Sequence, residues 1–166
     1  MNFPILSVMT FLPLLAAALL FILPQKKINL IKMIALLTTG AVLALAVVLV
    51  LNFDRCVSLP QFREEAIWIS ALNIHYSLGV DGLSVGLVFL TALLGFLSCV
   101  ASFSIDKRLK EYFIFYLLLM TGMMGTFIAL DLFLFYVFWE TVLIPMYFLI
   151  GIWGGPRKEY AAIKFI

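Results

Sequence analysis

The chain has 166 residues, of which 65% are hydrophobic and 12% charged, with a net charge of +2. That charged share is about half of the roughly 25% found in soluble domains, too little to cover a soluble surface of this size. So small a net charge gives no reason to expect nucleic acid as a partner, and it leaves lipid as the main solvent.

The first uncharged run, residues 3–23, ends at Pro24-Gln25-Lys26-Lys27. A secretory signal would carry its cations ahead of the apolar stretch, so a retained first helix is expected. A second span covers 33–51. The polar stretch from Asn52 to Asp81 follows, and it holds Asp54, Arg55, Arg63, Glu64 and Glu65. Within it Ile67 and Ile69, and then Ile74, Tyr76 and Leu78, alternate with other residues across a turn at 70–73. That period predicts a short β-hairpin at the membrane surface, with an interfacial helix as the alternative. His75 is expected on its polar face as a surface residue.

The third span, 82–105, contains the small residues Gly86, Gly95, Ser98 and Ala101, which let helices approach closely in lipid. Asp81 and Ser84 stand where a carboxylate caps free backbone N–H groups. After a charged turn, Tyr112 to Pro156 gives 45 residues with only Asp131 and Glu140 charged. A single helix of that length would be about 65 Å long, twice the hydrocarbon thickness. Two spans are therefore expected, 112–130 and 132–153, with Asp131 between them and Gly154-Gly155-Pro156 as the stop. A sixth apolar segment, 160–166, breaks off at Ile166, so the sequence is expected to be part of a longer protein. The fold class is all-α integral membrane, with five transmembrane helices, the start of a sixth and the hairpin between the second and third.

Lysine and arginine are distributed unevenly among the loops. Lys26, Lys27, Lys32, Lys107, Arg108, Lys110, Arg157 and Lys158 fall on one side, and Arg55 and Arg63 on the other. The richer side is expected to face the cytoplasm, or the matrix of an organelle. Cys56 and Cys99 form no metal or disulfide pattern. There is no HExxH or phosphate-loop motif, and no flavin, iron–sulfur or quinone motif. No cofactor is expected in this chain.

Glu140 is the residue that does not fit a lipid-filling helix. It lies about 13 Å into the fifth span, near the midplane, where an ionised carboxylate costs several kcal/mol unless paired. Such residues mark ion or proton paths, and the bland alternative is a neutral side chain hydrogen-bonded between helices. Pro145 cannot donate to the Thr141 carbonyl, so the helix is expected to kink or loosen just past the glutamate. Lys164 is a second candidate, because a buried lysine gives up its proton readily. At a helix end it can equally snorkel to the headgroups.

Phe138-Trp139-Glu140, the run Ile144-Pro145-Met146-Tyr147-Phe148-Leu149-Ile150-Gly151 and Trp153-Gly154-Gly155 resemble one helix of a known family. The family is the M-type, antiporter-like membrane subunit of respiratory complex I, NADH:quinone oxidoreductase. Gly79-Val80-Asp81-Gly82-Leu83-Ser84 resembles the entry to its third helix, and Ala161-Ala162-Ile163-Lys164-Phe165 the start of its sixth. The resemblance implies a subunit that moves protons while redox chemistry happens elsewhere, partnered by the other membrane subunits. It implies that Glu140 is a channel residue and, more weakly, that Lys164 takes part. The run Ile144-Pro145-Met146-Tyr147 favours the M type over the sister L type. Alternatives are a subunit of a multisubunit cation/proton antiporter or membrane-bound hydrogenase, or a non-conducting scaffold. The expected location is a bacterial plasma membrane, or alternatively the mitochondrial inner membrane.

Overall fold

The structure, a computed structural model, describes residues 4–57, 59–70 and 74–165. In chain order the elements are α1 (Ile5–Ile22), α2 (Ile28–Leu51), β1 (Gln61–Ile69), β2 (Ile74–Val80), α3 (Ser84–Ala101), α4 (Leu109–Ile128), α5 (Leu132–Trp153) and α6 (Lys158–Phe165). Five helices are long and apolar enough to cross a membrane. The two strands form the expected hairpin rather than an interfacial helix, paired antiparallel from Gln61↔Val80 to Ile69↔Ile74. Of the turn expected at 70–73, residues 71–73 lie outside the described residues.

Helix ends depart from the apolar runs for identifiable reasons. α2 begins at Ile28, so Lys32 sits inside its second turn. The Lys32 ammonium reaches the carbonyl of Phe103 at 2.7 Å, which gives the charge a partner without breaking the helix. α4 likewise takes in Lys110 and Glu111 in its first turn. α3 stops at Ala101 and tightens into a 3-10 turn over Ser102–Ser104.

Helices α1–α4 contribute to both of two apolar clusters, one near each end of the bundle, and α5 adds Leu134 and Phe138 to the first. The cluster at the hairpin end joins Leu6 and Met9 of α1, Val42 and Leu49 of α2, Leu78 of β2 and Met124 of α4. The other cluster joins Ala17, Ile31, Cys99 and Phe113 at the basic end. α4 is the centre of the bundle and packs on α1, α2, α3 and α5. α5 lies at the margin, and only Leu134, Phe138 and Pro145 are buried along it.

The hairpin is tied down at several points. A register shift between Gln61 and Glu64, with Phe62 at a φ of 53°, precedes Glu64. Bulges of this kind re-aim the side chains beside them. The Glu64 carboxylate accepts from the N–H groups of Leu6 (2.8 Å) and Ser7 (3.1 Å) and from the Ser7 hydroxyl. It therefore caps α1 from 57 or 58 positions away. On the far edge of β2, the Leu130 N–H donates to Ser77 O at 2.9 Å, and Ala129 bridges Leu78. The short α4–α5 connection is thus pinned to the edge of β2 by an isolated bridge.

The α4–α5 seam is a close helix approach, and it depends on two glycines. A Cβ at Gly125 would run into the Phe138 ring. One at Gly122 would come within 2.7 Å of Val142 Cγ2 and 3.0 Å of the Val142 backbone nitrogen. Gly122→Ala should therefore push α5 outward and destabilise the bundle by about 1–3 kcal/mol, measured by thermal or denaturant unfolding in detergent.

Charge asymmetry and helix direction together predict topology. Cys56 is exposed at the hairpin end, whereas Cys99 is buried. An impermeant maleimide should label Cys56 from the outer face of sealed vesicles. A cysteine replacing Arg108 should label only from the inner face, and outward labelling at 108 would reverse the orientation.

Candidate functional site

α5 starts at Asp131 because that residue holds extended backbone and accepts from Phe133 N–H at 2.9 Å and Leu134 N–H at 3.1 Å. The N–H of His75 approaches the same carboxylate at 3.5 Å, which joins β2 to the start of the helix. His75 is half-buried beside this cap rather than at the outer surface. The bond from Leu134 does most to hold the Asp131 carboxyl below the usual range, and His75 and Phe133 add to it. Asp81 is arranged in the same way: it accepts from Leu83 and Ser84 N–H, and Ser84 Oγ accepts from its own N–H. Its carboxyl is lowered too, chiefly by the bond from Ser84. In the third contact set, burial raises the Tyr76 phenol, and its hydroxyl lies 2.6 Å from Ser7 Oγ.

The buried stripe of α5, Leu134, Phe138 and Pro145, faces α4. Glu140 is two residues past Phe138, about 200° around the helix, and so points away from the bundle. It is exposed, and among the described residues no hydrogen bond or ion pair engages it. Its neighbours one turn away on that face are apolar or aromatic. Tyr136 is 56% exposed and Ile144 is 62% exposed. A single carboxylate therefore sits part-way along an otherwise lipid-like face. α5 is helical through Pro145, and the Thr141 hydroxyl donates to Val137 O at 2.7 Å. The Thr141 carbonyl, next in sequence to Glu140, is left without the N–H that a proline cannot supply.

Lys164 is elsewhere. It lines a cleft with Ile150 and Gly154 at the far end of α5, and its ammonium lies 5.8 Å over the Tyr160 ring. Ile150 is ten residues, or about 15 Å, along the helix from Glu140. The structure does not bring the two predicted residues together. Sequence reasoning missed Gly122 and Gly125, which seat the helix that carries Glu140. It also missed Glu64, whose role depends on a contact with no local signature. Among the described residues there is no group of His, Cys, Asp and Glu able to hold a metal ion.

A family model described as "NADH:quinone oxidoreductase/Mrp antiporter, TM" matches residues 129–166, the segment that carries α5 and α6. Subunit M of the NADH-quinone oxidoreductase of Rhodobacter capsulatus is 43% identical, over 97% of this chain and 32% of its own length. Other relatives are likewise named as subunit M of an NADH-quinone oxidoreductase or as chain 4 of an NAD(P)H-quinone oxidoreductase. The resemblance carried by Gly79–Ser84, Phe138–Gly155 and Ala161–Phe165 is thereby borne out. The chain spans about a third of the length of the relatives it matches. Among solved structures, respiratory complex I from Thermus thermophilus with bound NADH superposes with a TM-score of 0.79 at 26% identity, over 95% of this chain and 31% of that one. An archaeal membrane-bound sulfane sulfur reductase gives 0.76 at 21% identity, over 98% and 33%, a likeness of fold alone.

The Asp131 cap has a pH signature. Its folded pKa is depressed, so its contribution is present above the unfolded value and lost as pH falls through the folded one. Amide protection at Phe133 and Leu134 should be flat above about pH 5 and fall below about pH 4. Asp131→Asn keeps an acceptor and should remove that pH dependence, whereas Asp131→Ala should lose protection at every pH. Hydrogen exchange followed by mass spectrometry measures both.

Proposed function

We propose that this chain forms part of a proton-translocating membrane subunit of an NADH:quinone oxidoreductase, with Glu140 as its proton-carrying group. NADH oxidation and quinone reduction are assigned to other subunits of the complex. The observation that carries this reading is the lone carboxylate on the apolar outer face of α5, in a chain whose relatives are M subunits. Ionisable side chains inside a membrane face a protein partner or a water-filled cavity rather than lipid. Glu140 has no partner among the described residues, so its counterpart belongs to another helix of the assembly. The Thr141 carbonyl freed by Pro145 offers an acceptor for a water at the same level. Lys164, nearer the basic end, is a second and subsidiary proton-handling group in this reading. The expected location is a bacterial inner membrane, with the mitochondrial inner membrane as the alternative. The matching family description also covers Mrp antiporters, so a cation/proton antiporter subunit is the second reading.

Glu140→Gln tests the proposal in the assembled enzyme. Glutamine keeps the shape and much of the hydrogen bonding but cannot exchange a proton, so a packing role would leave it nearly harmless. Proton uptake by vesicles and coupled quinone reduction should fall roughly tenfold or more, as for loss of a proton-transferring group. Glu140→Ala should behave alike, and Glu140→Asp should stay partly active. Adding Ile144→Glu to Glu140→Gln should restore part of the function, because positions 140 and 144 share a face. Wild-type pumping by a fully assembled Glu140→Gln enzyme would make the carboxylate structural. Glu140-dependent proton flux without any link to quinone would favour the antiporter reading.

A further inference from the structure

The turn of α5 that carries Glu140 runs from Phe138 to Val142, and α4 meets it with two residues that have no side chain. A Cβ at Gly122 would lie 3.0 Å from the Val142 backbone nitrogen and 3.2 Å from the Phe138 carbonyl oxygen. Those two atoms belong to residues i and i+4 of the helix, so the contact falls on the backbone of that turn itself. About one turn further along α4, the place a Cβ on Gly125 would take is filled by the Phe138 ring. The two glycines thus make a floor under a single turn of α5. Glu140 stands on the opposite side of the same turn.

The Phe138 ring is hemmed in on its other side as well. It is buried, and Phe11 of α1 lies beside it with ring centroids 6.4 Å apart. Phe11 in turn stacks on Tyr76 of β2 at 6.4 Å. Tyr76 shares a hydrogen bond with Ser7, and Ser7 donates to Glu64. The hairpin therefore backs the seat that receives Phe138. Of the three buried residues of α5, Leu134, Phe138 and Pro145, Phe138 is the nearest in sequence to Glu140. The spacing of α5 from the bundle at the level of the carboxylate depends on this one seat.

We infer that Gly122, Gly125 and Phe138 are positioning residues for Glu140, and that the seat they form sets how far the carboxylate stands from the bundle and so from its proton partner. The inference rests on Glu140 being the proton-carrying group. None of the three residues exchanges a proton, and each acts through the distance at which α5 is held. A misplacement of about 1 Å costs up to about a hundredfold in a positioned reaction. A methyl group added to the floor is enough to cause one.

The test uses the assembled enzyme and two readouts. One is proton uptake coupled to quinone reduction. The other is the Glu140 carboxyl signal in infrared difference spectra, identified as the signal that Glu140→Gln removes. Gly125→Ala should lower uptake per assembled complex roughly tenfold or more and shift the carboxyl signal, with the KM for quinone unchanged. Gly122→Ala makes less severe contacts and should act in the same direction by a smaller factor, which keeps the test open if Gly125→Ala fails to assemble. Adding Phe138→Ala to Gly125→Ala removes the ring that the new methyl strikes. The double variant should recover the original signal and most of the uptake, at a cost in thermal stability. A merely structural seam would lower stability and leave the carboxyl signal in place. Gly86→Ala adds a side chain that meets nothing within 4 Å and should change neither readout. An unshifted signal in the assembled glycine variants would overturn the inference. So would a double variant no better than Gly125→Ala, or an equal effect from Gly86→Ala. Wild-type pumping by Glu140→Gln sinks the proton assignment, whereas an unshifted signal beside an inactive Glu140→Gln sinks the seat alone.

Discussion

A helix leaves backbone groups without partners at both of its ends, and the way those groups are satisfied organises this bundle. α1, α3 and α5 all run from the hairpin end to the basic end. Each begins on a carboxylate: Glu64 for α1, Asp81 for α3 and Asp131 for α5. Each also finishes on a lysine. Lys110 donates to Phe21 O and Leu23 O below α1, Lys32 to Phe103 O beyond α3, and Lys158 to Ile152 O in the last turn of α5. Anions at the start and cations at the end also complement the helix dipoles. The uneven loop charge thus has a structural counterpart in the helix ends.

The local half of this scheme is legible in the sequence. Asp81 and Asp131 stand directly before the helices they cap, and the alternation through Ile67–Leu78 is enough to predict strands. The long-range half is not legible. Nothing near Glu64 announces that it serves Leu6 and Ser7, and nothing near Lys110 announces Leu23. Two helices begin ahead of the apolar runs that mark them, α2 at Ile28 and α4 at Leu109. Lys32 and Lys110 are helical because their flexible stems carry the ammonium to a neighbour's carbonyl. The glycines that decide how α5 sits, Gly122 and Gly125, lie on a different helix from the small residues singled out on α3. Of those α3 residues, Gly95 meets Met120, whereas Gly86 has open space beside it.

Glu140 is legible in identity and depth but not in direction. Counting from Asp131 places it part-way along α5, and only the packing shows which way it faces. The seam against α4 uses Phe138 and Val142, so Glu140, between them in sequence, is turned outward. Lys164 follows the opposite course. Its place near the start of an apolar segment left burial and snorkelling open, and the structure puts it in a cationic cleft at the basic end.

The Glu64 cap also bears on the order in which the protein is built. α1 has its leading N–H groups closed by a side chain made nearly sixty residues later. By then α2 has been synthesised as well. Until that moment, water at the membrane face must serve those groups. The start of α1 is thus made before α2 and the hairpin, yet it takes its final form only after both are in place.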